Sequence, residues 1–246
     1  MKEKNWFEEW FDSPYYHILY ENRNKQEAER FIANMVRDLH IGPNAKILDV
    51  ACGKGRHSRT LATFGFDVTG IDLSKNNIEA AKQFEAPKLH FEVADMRCVY
   101  KKEEFDYVFN LFSSFGYFED DNDDYAAVKA FAGNLKPGGT LILDYMNTEC
   151  TVKLLKSRDI VEREGIQFHV QKRVENGFIK KKIDFLVNGE NHHYEEKLKV
   201  INHHKFKEML HHAGLEERET FGDYDLNPFN PSSSMRLILV AQKNPA

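Results

Sequence analysis

A glycine-rich segment set between an apolar run and an amphipathic one constrains this chain more than any other feature. Residues 47 to 58 read Ile-Leu-Asp-Val-Ala-Cys-Gly-Lys-Gly-Arg-His-Ser. Lys46 to Val50 suits a buried strand, Ala51 to Arg56 a tight turn, and His57 to Phe64 a helix stopped at Gly65. The unit then recurs. Phe66 to Ile71 predicts a second strand, and Ser74 to Phe84 a second helix with Ser74 as its N-cap. Leu89 to Val93 and Phe105 to Leu111 are further strands, Asp123 to Leu135 a helix, and Thr140 to Tyr145 a fifth strand after Lys136-Pro137-Gly138-Gly139. Strands that alternate with helices pair in parallel through right-handed crossovers. Residues 45–150 are therefore expected to form an open α/β sheet with helices on both faces.

The flanks differ from this core. Residues 1–44 read as helical: Phe31, Met35 and Leu39 share one helical face, and Gly42-Pro43 ends the run. After Arg158 the period changes. Gln167 to Val174, Phe178 to Val187 and His192 to Val200 are separated by Asn176-Gly177 and Asn188-Gly189, and Asn-Gly between β-prone segments is a hairpin signal. An antiparallel β insertion is expected over residues 158–201. A helix from Lys205 to Ala213, with strands at Leu215 to Phe221 and Met235 to Ala241, would then complete the sheet over residues 202–246. The whole reads as a single domain with one insertion.

Composition narrows the function classes. With 34 Lys and Arg against 39 Asp and Glu, the formal net charge is −5, so the chain lacks the general positive field of a duplex-DNA binder. The first ten residues interleave charges with aromatics, and no stretch approaches ~18 apolar residues, so neither an export signal nor a membrane span is expected. Cys52, Cys98 and Cys150 lie far apart without C-x-x-C spacing, which predicts free thiols, no zinc site and a reducing, cytoplasmic setting.

Candidate chemistry gathers at the carboxyl ends of the expected strands. Gly53-x-Gly55 lets a ligand approach backbone where a Cβ would collide, beside the positive end of a helix. Asp72 ends the second strand, where a carboxylate accepts from both hydroxyls of a ribose. Asp95 and Met96 follow the third strand, where they would meet an adenine amino group and the ring face. In a parallel sheet these turns converge on one crevice.

Taken in order, these segments resemble class I S-adenosylmethionine-dependent methyltransferases. The matches are Leu48-Asp49-Val50-Ala51-Cys52-Gly53-x-Gly55, Gly70-Ile71-Asp72-Leu73-Ser74, Ala94-Asp95-Met96, Phe105-Asp106-Tyr107-Val108, and Leu135-Lys136-Pro137-Gly138-Gly139. The stretch Asp49-Val-Ala-Cys-Gly-x-Gly resembles small-molecule N-methyltransferases in particular. The resemblance implies a Rossmann-like seven-stranded sheet with its last strand antiparallel, and S-adenosyl-L-methionine as cofactor. By the same resemblance Asp49, Ala51, Gly53, Gly55, Arg56, Asp72, Leu73, Asp95 and Met96 would hold the cofactor, under an N-terminal helical lid contributing Tyr16, Tyr20 and Arg23. The loop after the fourth strand, with Phe112, Ser113, Phe115 and Tyr117, would line the acceptor pocket. The insertion would cap that pocket, and Tyr117, Tyr145 or a histidine of the insertion would act as base if one is needed. The expected acceptor is a small-molecule nitrogen or oxygen nucleophile. RNA or protein methylation, or cofactor binding without catalysis, stands as the alternative.

Other motifs point elsewhere with less support. Tyr125-Ala-Ala-Val-Lys129 with Ser113 matches the residue set of short-chain dehydrogenases using NAD(P), but Ser58 occupies the place of the third glycine of a dinucleotide fingerprint. No D/N-P-P-Y/F motif or proline-preceded cysteine marks a nucleobase methyltransferase. The acidic run Glu119 to Asp124 reads as a helix cap, the histidine pairs 192–193, 203–204 and 211–212 as solvated, and Lys180-Lys181-Lys182 as an exposed strand edge. No metal site is expected.

Overall fold

A computed structural model describes residues 6–20 and 25–245. The chain opens with α1 (Trp6–Trp10), α2 (Pro14–Leu19) and α3 (Lys25–Asp38). The alternating core follows: β1 (Lys46–Val50), α4 (Arg56–Thr63), β2 (Asp67–Asp72), α5 (Lys75–Lys82), β3 (Leu89–Val93), β4 (Phe105–Asn110), α6 (Asp121–Asn134) and β5 (Leu135–Met146). After α7 (Thr148–Lys153) come β6 (Arg158–Arg163), β7 (Ile166–Glu175), β8 (Phe178–Val187) and β9 (Glu190–Lys199). The chain closes with α8 (His203–His212), β10 (Leu215–Phe221) and β11 (Arg236–Lys243).

The main sheet has seven strands in the order β10-β11-β5-β4-β1-β2-β3, and β6-β7-β8-β9 form a second, four-stranded sheet. β1 pairs in parallel with β2 and β4, β2 with β3, and β4 with β5, whereas β11 runs antiparallel to both neighbours. The α/β architecture read from the alternation is thus present, with the reversed strand where the resemblance put it. Parallel pairing sends the ends of β1, β2, β3 and β4 to one edge, so Ala51, Asp72, Ala94 and Leu111 emerge together.

Apolar burial fixes the layers. One face of the main sheet packs Val108, Leu143 and Leu239 against Phe131 of α6 and Phe206 of α8. The other packs Ile47, Phe109 and Ile238 against Phe31 and Met35 of α3 and Leu61 of α4. A third cluster joins Trp10 and Leu19 of the first two helices to Phe168, Val170, Ile183 and Phe185 of the second sheet. The N-terminal helices are therefore cemented to the insertion, not to the main sheet alone.

Local chemistry explains where the elements depart from expectation. The N-terminal run breaks at Ser13, whose hydroxyl accepts the Tyr15 N–H at 3.2 Å and caps α2. Asp120 caps α6 by accepting the Asn122 N–H at 2.9 Å, starting that helix two residues before Asp123. The insertion holds a strand, β6, that was not expected; its charged, alternately exposed Arg-Asp-Ile-Val-Glu-Arg lacks an apolar run. β8 is an interior strand, paired on either side with β7 and β9, the strands expected from Gln167 to Val174 and from His192 to Val200. The lysine run on it is not a sheet edge.

Candidate functional site

The turn after β1 is built from backbone that few residues adopt. Ala51, Gly53 and Gly55 have φ of +58°, +57° and +79°, so the chain reverses within five residues and delivers the N-terminus of α4 to the sheet edge. At Gly55 a Cβ would lie 2.6 Å from the Phe91 ring, whereas at Gly53 it would meet nothing within 4 Å. Gly55 thus serves packing, and Gly53 is the glycine that opens on the crevice. Beneath the turn the buried Asp49 carboxylate accepts from Ser58 Oγ at 2.5 Å. Burial pushes its pKa up to about 7 despite that bond.

Asp72 ties the first turn to the second. Its Oδ2 accepts the Gly53 N–H at 2.9 Å and its Oδ1 the Ser74 N–H at 2.8 Å. Burial raises its pKa above the usual carboxylate range, with these donors opposing. Asp95 sits one strand further along, where Arg97 Nη2 reaches its Oδ2 at 2.6 Å. Burial works against ionisation there as well, but the hydrogen bonds and charge of Arg97 hold the Asp95 carboxyl below its ordinary value. Ala51, Gly53, Asp72, Leu73, Asp95 and Met96 line one crevice. Phe7, Phe11 and Tyr16 close it from the N-terminal side.

That closure is pinned by polar contacts. Asp12 accepts hydrogen bonds from the Ser74 hydroxyl and from Asn76 Nδ2, the second at 2.6 Å. His17 lines the crevice, and burial, with the nearby Lys54 charge, lowers its pKa to about 4. A contiguous recess brings Asp49, Lys54, Arg56 and Phe112 together with Tyr16 and Tyr117. There the Arg56 guanidinium lies 4.7 Å from the Phe112 ring centroid.

A second cavity opens between the N-terminal helices, α7 and the inner face of the insertion. Phe112, Ser113 and Tyr117 line it. Phe112 and Ser113 have φ of +66° and +59°, a strained pair that the buried Asp144 holds. Asp144 accepts the Phe112 N–H at 2.8 Å, the Tyr224 hydroxyl at 3.1 Å and Arg236 Nη2 at 2.6 Å. Tyr117 donates its hydroxyl to the Ser113 carbonyl at 2.7 Å. Phe11, Tyr16 and Tyr117 line both this cavity and the crevice, so the two meet there, with Tyr16 and Tyr117 carrying the polar groups.

Several candidates are placed elsewhere. Phe115 and Tyr145 are fully buried in the core beside Phe206, and Tyr145 donates its hydroxyl to the Lys199 carbonyl at 2.7 Å. Burial raises the Tyr145 pKa well above its ordinary value, so the side chain has neither the access nor the acidity of a base. Tyr20 lines both the recess beside Arg56 and the second cavity, and its hydroxyl donates to Glu196 at 2.6 Å and accepts from Lys181. Arg23 lies outside the described residues. Among the insertion histidines, His192 stacks on Phe185 and His193 pairs with Asp184 at 2.6 Å.

The dehydrogenase set does not assemble. Ser113 Oγ accepts the Met146 N–H at 2.9 Å and Arg236 Nη2 at 3.1 Å, while the Tyr125 ring packs edge-on against His212. Among the described residues, no group of three His, Cys, Asp or Glu is arranged to hold a metal, and no helix is long and apolar enough to cross a membrane. Sequence reasoning missed His17, Lys54, Lys172, Lys181 and Glu196. For the last three, two-residue alternation from the buried Ile183 and Val170 was the usable signal.

Comparison with known proteins settles the family. A sequence model described as a methyltransferase domain matches residues 47–139. The putative methyltransferase YqeM of Bacillus subtilis is 30% identical over 210 residues, which are 81% of this chain and 84% of that protein. The chain belongs to the class I S-adenosylmethionine-dependent methyltransferases. This methyltransferase is also 31% identical over 153 residues to the dTDP-3-amino-3,4,6-trideoxy-alpha-D-glucopyranose N,N-dimethyltransferase of Streptomyces venezuelae, across 61% of this chain and 64% of that enzyme. The match thus spans under two thirds of the Streptomyces protein. A crystal structure of an S-adenosylmethionine-dependent methyltransferase from Clostridium acetobutylicum superposes with a TM-score of 0.78, at 18% identity, over 94% of this chain and 96% of that one.

The crevice suits the family's cofactor, S-adenosylmethionine. Asp72 presents a carboxylate for ribose hydroxyls, Leu73 and Met96 offer apolar contact for a base, and Gly53 leaves its backbone uncovered. Lys54 and Arg56 add cationic groups in the adjoining recess for a carboxylate.

Proposed function

We propose that the protein transfers a methyl group from S-adenosylmethionine to a nitrogen or oxygen nucleophile on a small molecule. The observation that carries this reading is the junction of the two cavities at Tyr16 and Tyr117. One cavity is built from the cofactor motifs, and the other is walled by the insertion. The cofactor's sulfonium supplies an activated methyl group, so the protein's task is orientation and water exclusion, where effective molarity accounts for several orders of magnitude in rate.

In this reading Asp72 binds the ribose, Leu73 and Met96 pack the base, Asp95 accepts from its amino group, and Gly53 and Ala51 let the cofactor lie against the turn. Arg56, Tyr20 and Arg23 belong to the methionine end. Phe112, Ser113 and Tyr117 form the wall past which the acceptor meets the cofactor. The aromatic side chains of α1 and α2 exclude water. A base is required only when the acceptor loses its proton in the transition state.

A thermal-shift comparison of S-adenosylmethionine, S-adenosylhomocysteine and NAD(P), followed by a methyl-release screen, tests the proposal. The screen uses small amines, phenols, carboxylic acids and bulk tRNA. Stabilisation by the first two ligands and turnover of a small acceptor are expected. Stabilisation by NAD(P) alone, or turnover confined to tRNA, would overturn the reading.

A further inference from the structure

The second cavity carries charge that methyl transfer does not by itself require. Lys172 of β7 and Lys181 of β8 stand directly opposite each other in the antiparallel register, flanked by the pairs Val170↔Ile183 and Val174↔Ile179. Two-residue alternation places these six side chains on one face. The burial of Val170, Ile183 and Ile179 marks that face as the inner one. Both lysines line the cavity. Like charges directly opposite across a strand pair are destabilising, and enclosure in a recess reduces the water that would screen them.

The surrounding carboxylates compensate only one of the two. Glu196 of β9 lies opposite Lys181, 3.5 Å from its ammonium, and is itself held by Trp10 Nε1 and the Tyr20 hydroxyl, each at 2.6 Å. Lys172 forms no ion pair among the described residues. Asp159, which feels the Lys172 charge, is bonded to Lys156 at 2.8 Å.

We infer that Lys172 and Lys181 seat an anionic group of the methyl acceptor, a carboxylate or a phosphate. Only the identification of this ligand as the acceptor rests on the methyltransferase reading. An anion between the two ammonium groups turns their repulsion into paired charge-assisted hydrogen bonds. The apolar body of the molecule then lies against Ile179 and Leu198 and reaches Tyr117 at the junction with the cofactor crevice. The acceptor is therefore anchored at its charged end by the insertion, and its nucleophile is presented at the other.

The test melts the full chain, saturated with S-adenosylhomocysteine, in pyrophosphate, in succinate and in sodium chloride of matched ionic strength. The wild type, Lys172→Met and Lys172→Gln are compared. At least one of pyrophosphate and succinate should raise the wild-type Tm beyond chloride, and which one does so separates phosphate from carboxylate. That increment should vanish in both variants, and without the anion both should melt at or above the wild type because a repulsion has been removed. No gain beyond chloride in the wild type, or an equal gain in the variants, overturns the proposal. The shift produced by S-adenosylhomocysteine alone is read first, so failure of cofactor binding is distinguished from failure of the anion site.

Discussion

The Gly53 backbone N–H donates to the Asp72 carboxylate at 2.9 Å, joining the turn after the first strand to the end of the second. One side chain thus shapes the glycine turn while facing the crevice. Asp72→Ala should weaken S-adenosylhomocysteine binding by about 1.5–3 kcal/mol, the range for a lost hydrogen bond to a charged group. It should also lower Tm, because the Gly53 and Ser74 N–H groups lose their acceptor. Asp72→Asn keeps an acceptor oxygen and should fall between the two. Unchanged affinity of Asp72→Ala in calorimetry would remove Asp72 from the cofactor site.

Asp49 gives the stability a defined pH dependence. Its ordinary value is 3.8, and burial lifts it to about 7 in the folded chain. Between those values the folded state keeps a proton that the unfolded state has released, so this contribution to stability declines as pH rises and is lost above about 7. Asp49→Asn removes the titration. The variant should gain on the wild type in urea unfolding at pH 8, by at most about 4 kcal/mol, and the gain should shrink toward pH 5. A difference independent of pH would show that Asp49 does not titrate between pH 5 and 8 in the folded chain.

Asp144 and Arg236 form a charge pair whose carboxylate is wholly buried, with Nη2 to Oδ1 at 2.6 Å. Removing the carboxylate alone strands a guanidinium, and Asp144→Ala should cost about 3–5 kcal/mol. The double variant with Arg236→Met should cost less than the two single variants together, because it leaves no unpaired charge. Urea unfolding of the three variants provides the cycle. Additive losses would mean that the two side chains act independently.

The two tyrosines considered as bases should separate kinetically once an acceptor is in hand. Tyr145→Phe loses one buried hydrogen bond and should cost about 1 kcal/mol of stability with kcat unchanged. Tyr117→Phe releases the Ser113 carbonyl and should raise the acceptor KM, with kcat changing by less than about tenfold, below the ~10²–10⁴ of a general base. A larger fall in kcat with an altered pH profile would make Tyr117 the base.

What was legible in the amino-acid sequence was local. Asp72, Asp95 and Gly53 each follow a strand directly, so the alternation of strand and helix suffices to bring them to one edge. Tyr145 was not legible as core, because β5 is buried along most of its length and its side chains read alike on both faces. The group that engages its hydroxyl, Lys199, is 54 residues away. The missed strand β6 joins β7 through Glu164-Gly165, both at positive φ, a weaker hairpin signal than Asn-Gly. The two Asn-Gly turns already made β8 the middle strand of the meander, but not which of its faces turns inward, so Lys181 read as one of three solvated lysines.

The Thr148 hydroxyl donates to the Ile201 carbonyl at 2.9 Å, so the chain leaves the main sheet and returns to it at nearly one point. Lys199 N–H donates to Gly116 O at 2.8 Å beside this seam. Everything that walls the second cavity from the insertion side lies between two tied ends. Loop-closure entropy changes slowly with the length of an excursion whose ends are held, so the turns between the strands of this stretch can lengthen or shorten at little cost in chain entropy to the main sheet. Because the same stretch packs against Trp10 and Leu19 of the helices that close the cofactor crevice, a change in its inner face is felt at both cavities.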